Sequence, residues 1–288
     1  MSHSWSSTQS DRTAADDDWH HVKRIVGIVL VRDEDLFVEQ AVRNVLDFCD
    51  EIFLCEHRSR DRTPEILACL AAQHPHKVRL CPVAHPSESH DVIAPLAGEN
   101  AWVFGVDGDE LYDPAGLRAF RPRLLGGEFD DWWLIRSNAL HTVELAEGRA
   151  RGYMAPPAPS MVKLHNFALI ESWDGPHPER LHGKEGLRFK PSREERKLDL
   201  GTLEPWDRAQ LRALHVCFLR RSSREKEPGR RATIRDRQAP ARLPVRLGRR
   251  LVGREARPEW KDNYRVGELV SVSATPFFGP EAGRRETP

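Results

Sequence analysis

From Lys23 onward the apolar positions switch between two periods. Arg24 to Val31 (RIVGIVLV) is an unbroken β-branched run, with the length and composition of a strand buried on both faces. Leu36, Val38, Ala41, Val42, Val45, Leu46 and Cys49 then recur every three or four residues and predict an amphipathic helix. Glu51 to Cys55 predicts a second strand. Thr63, Pro64 and Glu65 open a second helix with a cap, a first-turn proline and a charge that suits the helix dipole. Lys77 to Val83 reads as a third strand, with Pro82 placing its end at an edge or bend, and Ala101 to Val106 as a fourth that runs straight into acids. Strand and helix in this alternation predict right-handed βαβ units: an α/β fold with a mostly parallel central sheet flanked by helices. Ligands on such sheets sit beyond the carboxyl ends of the strands.

After Asp113-Pro114, which starts another short helix, the alternation decays into a mixed C-terminal region. Asp131 to Leu140 and Ser160 to Ile170 read as strands, and Gly175-Pro176-His177-Pro178 as a turn. Ala209 to Leu219 fits helix or strand, and Tyr264 to Phe278 reads as a final strand packing back on the core. Between them, Arg220 to Arg257 holds 13 Arg and one Lys against four acids, a local excess of ten positive charges. With only scattered apolar residues it reads as a solvated helix or mobile arm. The expected organisation is a tail over 1–22, one α/β domain over 23–219, the Arg-rich extension over 220–260 and a C-terminal strand and tail over 261–288.

Composition narrows the function classes. The 288 residues carry 44 Lys plus Arg and 44 Asp plus Glu, so net charge gives no case for a general nucleic-acid or membrane-surface binder. Eight Trp and eleven Phe can fill a substantial core. Ile25 to Val31, the longest aliphatic run, falls far short of the roughly 20 apolar residues of a spanning helix. The first 20 residues hold no apolar segment of a secretory signal, so the expected compartment is the cytoplasm. Five cysteines, with no C-x-x-C pair and an odd count, predict reduced structural thiols rather than a disulfide framework or zinc knuckle.

The densest chemistry is Asp107-Gly108-Asp109-Glu110, directly after a buried strand. Three carboxylates in four residues repel one another unless a cation or hydrogen-bond donors compensate, and Mg²⁺ or Mn²⁺, with its preference for oxygen ligands and substrate phosphates, would do so. Gly108 would let a phosphate or sugar approach the backbone. Taken alone, the same residues also suit a polar turn that caps the next helix. If the strands are parallel, Val31-Arg32-Asp33-Glu34 and Glu56 to Thr63 share this sheet edge.

In that combination the chain resembles the inverting family-2 glycosyltransferases of the GT-A fold. Their first strand ends in Asn-Glu, their second in Asp followed by Ser-x-Asp-x-Thr, and a fourth in Asp-x-Asp. Here these read Asp33-Glu34, Glu56 with Ser59-Arg60-Asp61-Arg62-Thr63, and Asp107-Gly108-Asp109; Asp33 and Glu56 depart from the pattern. The resemblance covers Arg24 to Phe120 and runs more loosely to His215. It implies a GT-A, Rossmann-like sheet and a nucleotide-diphosphate sugar donor, UDP-linked in the first instance. Val31, Arg32, Glu34, Glu56, Arg58, Asp61 and Gly108 would then border the donor, with Asp107 and Asp109 on the ribose and on Mg²⁺ or Mn²⁺. His90 would lie near the phosphates, His215 would add a metal ligand, and Arg220 and Arg221 would face the diphosphate. His215, within an apolar run, also suits a hydrogen-bonded core residue.

Trp173 to His182 resembles the same family's Trp-x-Gly…His-Glu segment, with Pro178 inserted. An inverting transfer needs a base on the acceptor hydroxyl, and Glu179 is the first candidate, followed by Asp174 and His177. The expected acceptor is a small molecule such as a secondary metabolite. A cell-envelope glycan or lipid acceptor, with the Arg-rich arm on anionic headgroups, is the alternative. A nucleotidyltransferase would carry a Gly-rich phosphate loop after the first strand, which Val31 to Glu34 is not. A non-catalytic binder of RNA or another polyanion would show steep salt dependence and no metal-dependent nucleotide binding.

Overall fold

A computed structural model describes residues 23–154, 162–226 and 264–278. The expected N-terminal tail and most of the Arg-rich arm lie outside the described residues. Strands β1 (Arg24–Val31), β2 (Glu51–Glu56), β3 (Val78–Leu80) and β4 (Ala101–Asp107) alternate with helices α1 (Val38–Val45), α2 (Thr63–Gln73) and the short α3 (Glu88–Ile93). β5 (Glu110–Tyr112) and α4 (Pro114–Leu125) follow, then β6 (Leu134–Arg136), β7 (Asn138–Ala146), β8 (Arg149–Met154), β9 (Val162–Asn166), β10 (Ile170–Trp173), β11 (Leu187–Phe189) and β12 (Lys197–Asp199). The short α5 (Leu200–Leu203), β13 (Arg212–His215), β14 (Leu269–Ser273) and α6 (Thr275–Phe278) complete the described elements.

The seven-stranded central sheet has the order β12-β6-β9-β4-β1-β2-β3. β1 pairs in parallel with both β2 and β4, and β2 with β3, while β9 runs antiparallel between β4 and β6. The expected mostly parallel α/β sheet is what forms. β1 is buried on both faces because alternate residues feed two cores. Ile25, Val29 and Val31 pack with α1, α2 and α4, while Val26 and Ile28 pack with Val103, Trp133 and Trp173. β3 lies at the sheet edge, as Pro82 just beyond it suggested. Asp113 caps α4 as its motif predicts, its Oδ1 accepting from the N–H groups of Ala115 and Gly116.

The mixed region forms a second sheet, β14-β8-β7-β13-β5. Two sequence readings are refined here. Asp131 to Leu140 is two strands divided between the sheets, and the ambiguous Ala209 to Leu219 yields the strand β13. The C-terminal segment does pack back: β14 pairs with β8, Phe277 is buried, and its carbonyl and that of Tyr112 both accept from Asn44 Nδ2.

Chain order places the site. β1 leads through α1 to β2 and β3 on one side, then the chain returns to lay β4 on the other side of β1. The reversal between β1 and β4 opens a crevice at their carboxyl ends, where an open α/β sheet binds ligands.

Candidate active site

Asp107 ends β4, Val31 ends β1 and Glu56 ends β2, with Val31 and Glu56 direct partners in the register. The loops after β1 and β2 are laced together. Ser59 Oγ accepts from the Asp33 N–H (3.0 Å), Asp33 Oδ1 accepts from Arg60 N (2.6 Å), and Thr63 Oγ1 accepts from Glu34 N (2.9 Å). Asp33 and Arg58 adopt left-handed backbone (φ 53° and 51°) to make these turns. Glu56 Oε1 accepts from Ser59 N at 2.5 Å, and Arg32 lies 3.7 Å from Asp33. The Ser59-x-Asp61-x-Thr63 motif therefore builds the rim.

Asp61 ties that rim to the start of the Arg-rich stretch: its carboxylate accepts from Ser222 Oγ (2.6 Å) and Thr63 N (2.9 Å). Desolvation would raise its pKa, but the hydrogen bonds from Ser222 and Thr63 outweigh it and hold the group below the usual aspartate value. A depressed folded-state pKa contributes stability above the unfolded carboxylate pKa, and that contribution is lost as pH falls through the folded value. Asp61→Asn is accordingly expected to cost about 1 kcal/mol at pH 7, a gap that is narrower at pH 3, below the ordinary aspartate pKa. Urea melts of both proteins at the two pH values measure it, and an equal deficit at both would refute the assignment.

The acidic cluster divides in two. Asp107, with 36% of its side chain exposed, meets the Arg180 guanidinium and lies 3.4 Å from Lys163 Nζ. Lys163 also holds the buried Glu110, at 2.5 Å. Desolvation works to raise the Asp107 pKa, and Arg180 and Lys163 more than offset it, leaving the carboxyl well below its ordinary range. Burial keeps Glu110 above its ordinary value despite Lys163. Asp109 is buried, bonded to the Arg221 guanidinium, which lies 3.3 Å from Glu34, and its Oδ2 is 3.7 Å from His215 Nε2. Burial would lower the His215 pKa, but Cys217 and Asp109 raise it to about 10.

The crowded acids thus have compensation from within the chain. Lys163, Arg180, His215 and Arg221 supply it from segments far away in sequence, and of these only His215 and Arg221 were singled out from the sequence. Lys163 had a legible signal, a lone lysine between Val162 and Leu164 on a predicted strand. Gly108 is a second correction. A Cβ there would lie 2.2 Å from Glu34 Oε2 and 2.7 Å from Val31, so the glycine admits the chain's own Glu34 rather than a sugar or phosphate.

The Trp173 to Gly186 segment folds down over β4, so closely that a Cβ on Gly105 would meet Leu181 at 2.8 Å. His90 fastens it from below. The buried ring's nitrogens face the carbonyl oxygens of Trp173 (2.7 Å) and Arg180, and the ring stacks on His177 at 3.5 Å. This corrects the expected phosphate contact for His90: both its nitrogens are taken up by backbone. His177 is likewise packed between His90 and Trp173, with Nδ1 3.0 Å from the His182 carbonyl. Asp174 is exposed, 3.9 Å from Arg188. Glu179 is the candidate base on the cluster side, next to Arg180 in the chain and 3.2 Å from His182 Nδ1.

A cleft of about 280 Å³ runs from Asp107 between this segment and β6, β9 and β12. Trp133, Trp173, His165, Lys163 and Arg180 are among its walls. Burial lowers the His165 pKa to about 3, so that imidazole is neutral. Neither Glu56 nor Asp109 lines this cleft, so of these three acids only Asp107 opens onto it. Trp133 lines it while Trp132 packs under Arg196, the two residues just before β6 facing different cores. Arg220 NH1 lies 3.5 Å from the Glu225 carbonyl.

The donor set at Asp109, a buried carboxylate facing an imidazole with Glu34 alongside, has the oxygen and nitrogen chemistry that a hard or borderline divalent cation takes. Arg221 is the cation now paired with it.

No family model matches this chain, and no curated protein matches it. Among solved structures, glucosyl-3-phosphoglycerate synthase from Mycobacterium tuberculosis is similar in several complexes. The complex with Mn²⁺, UDP and glucosyl-3-phosphoglycerate shows 17% identity and a TM-score of 0.31, over 47% of this chain and 50% of that one. The phosphoglyceric acid complex gives 18%, 0.31, 45% and 49%, and the complex with Mn²⁺, UDP and phosphoglyceric acid 18%, 0.31, 44% and 47%. The chain spans about half the length of these structures, and a likeness of that extent fixes neither donor nor acceptor. No helix among the described residues is long and apolar enough to cross a membrane.

Proposed function

We propose that this chain is an inverting, metal-dependent glycosyltransferase that moves a sugar from a nucleoside-diphosphate donor, UDP-linked in the first instance, to a hydroxyl of a small acceptor. The observation behind this reading is that Asp107 and Asp109 follow β4 at the point where strand order reverses, with Asp109 sharing the Arg221 guanidinium with Glu34 after β1. The base and ribose would lie along the Val31–Glu34 and Glu56–Asp61 rim, where carboxylates accept from base N–H and ribose hydroxyls.

Asp109 and Glu34 would hold Mg²⁺ or Mn²⁺, with His215 Nε2 facing Asp109, and Asp107 would support ribose or metal. When bound, such an ion neutralises charge growing on the departing diphosphate. Arg221 and Arg180 stand at the same edge as guanidinium donors suited to phosphate oxygens. The acceptor would enter the cleft beside Asp107, and Glu179, which precedes the cleft residue Arg180 in the chain without lining the cleft itself, would take the hydroxyl proton on the face opposite the leaving group.

A thermal-shift panel of UDP-, GDP- and dTDP-sugars with and without Mn²⁺ tests the donor site. At a hundredfold excess over Kd the true donor stabilises the folded state by about 2.7 kcal/mol, a rise of a few degrees. Asp109→Ala is expected to abolish the Mn²⁺-dependent part. If no nucleotide raises the melting temperature, or the variant responds like the parent, the reading fails.

A further inference from the structure

We propose that His141, His215 and Cys217 form a binding site for a borderline-soft divalent ion of the zinc class, one that does not depend on the nucleotide. β13 runs parallel to β7 with His215 directly opposite His141, so the two imidazoles emerge on one face as nearest cross-strand neighbours. Cys217 follows two residues later, and a ligand atom of each residue lies within 4.8 Å of the other two. All three residues are buried.

The chemistry of the set separates it from the acidic edge. Two imidazoles and a thiolate suit Zn²⁺ or Co²⁺, whereas carboxylate and water oxygens suit Mg²⁺ and Mn²⁺. Bond lengths of roughly 2.0–2.1 Å to nitrogen and 2.3 Å to sulfur put the ligand atoms of a tetrahedral site about 3.3–3.6 Å apart. His141 Nδ1 and His215 Nδ1 are 2.9 Å apart and share a proton, so they need separate by only about 0.4 Å to take an ion in its place. Coordination releases that proton and the thiol proton.

The surroundings match what a ligating histidine requires. The far nitrogen of His215, Nε2, faces Asp109 Oδ2 at 3.7 Å, and a carboxylate in that position orients the ring and strengthens it as a donor. Tyr264 stacks on His141 with ring centroids 4.2 Å apart and planes at 14°. Three protein ligands leave a fourth position for water. An ion held here fixes His215 and, through it, the carboxylate that the proposed donor site depends on.

The full chain, stripped by chelator and titrated with Co²⁺ in the absence of nucleotide, tests the site by optical absorption. One ion per chain is expected, with visible bands of four-coordinate cobalt and an intense near-ultraviolet thiolate-to-cobalt band. Cys217→Ser removes the near-ultraviolet band. His141→Gln weakens binding by more than the roughly 10- to 100-fold that loss of an outer partner costs, and Asp109→Asn by an amount within that range. A wild-type spectrum without the thiolate band, or a band that survives Cys217→Ser in a protein of unchanged circular dichroism, overturns the proposal. The wild-type spectrum decides by itself if a variant fails to fold. Because no donor is present, a failed nucleotide panel leaves this result standing, and the reverse also holds.

Discussion

Glu179→Gln lowers the rate of sugar transfer by roughly 100- to 10,000-fold while donor binding stays at the wild-type level, the expected signature of losing a general base. Glutamine keeps the size of the side chain and can still meet His182 Nδ1, so the fold of the Trp173–Gly186 segment survives the change. The protonation state supports the role. Desolvation pushes the Glu179 pKa upward, and His182 and Arg180 outweigh it, so the group titrates below the ordinary glutamate value. A base acts as the carboxylate, so the wild-type rate should hold through neutral pH and fall only as acid reaches that depressed pKa. Single-turnover rates alongside nucleotide affinity provide the measurement. Undiminished turnover in the variant would remove Glu179 from the chemistry. Asp174 would be the next candidate, since the His177 ring is stacked against His90 and bonded to its own loop.

The frame of the molecule was legible because its signals are local. A two-sided apolar run such as Arg24 to Val31 and a Pro-Glu first turn depend on neighbours in the sequence, and strand, helix and parallel order all followed from them, although Thr63, expected as the cap, lies inside the helix and its hydroxyl accepts from Glu34 N instead. The acidic motif was visible for the same reason. What compensates it was not, because Lys163 and Arg180 reach Asp107 from 56 and 73 residues away. The His141–His215 pair spans 74 residues and depends on β7 and β13 lying side by side, a pairing that no short window contains. Position alone does not place His90. A histidine after β3 can face a phosphate or the underside of a loop, and the Trp173 and Arg180 carbonyls that decide between them lie more than 80 residues on.

Those distant partners also change what the acids ask of a ligand. Sequence proximity argues that Asp107, Asp109 and Glu110 repel one another unless a cation, such as a divalent ion, or hydrogen-bond donors compensate. In the folded chain Arg180, Lys163, His215 and Arg221 already face them, so the cluster does not need a ligand in order to fold. An incoming cation at Asp109 therefore competes with Arg221. Its affinity is expected to be modest alone and to rise when a diphosphate gives the displaced guanidinium a new partner.

Lys163→Met is expected to destabilise the fold by about 3–5 kcal/mol, the usual cost of removing one member of a buried ion pair. Lys163 is 2% exposed and Glu110 1%, and the ammonium is 2.5 Å from Glu110 and 3.4 Å from Asp107. Asp107 retains Arg180. Glu110 keeps the Asp107 N–H at 3.2 Å, the Tyr112 hydroxyl at 3.4 Å and the charge of His215, but loses its closest compensation. Burial already raises the Glu110 pKa, and without Lys163 it rises further, so the carboxyl takes up a proton to relieve the charge. A group with a raised folded-state pKa favours the fold below its unfolded pKa and loses that contribution as pH rises through the folded value. The variant's deficit is therefore largest at neutral pH and smaller near pH 5, and adding Glu110→Gln should recover much of it by removing the charge that Lys163 answered. Denaturant midpoints for the two single variants and the double variant at both pH values give the coupling directly. A cost below about 1 kcal/mol, or a double variant no better than Lys163→Met, would mean that Lys163 serves the fold through packing of its methylene stem rather than as the counter-ion of the acidic edge.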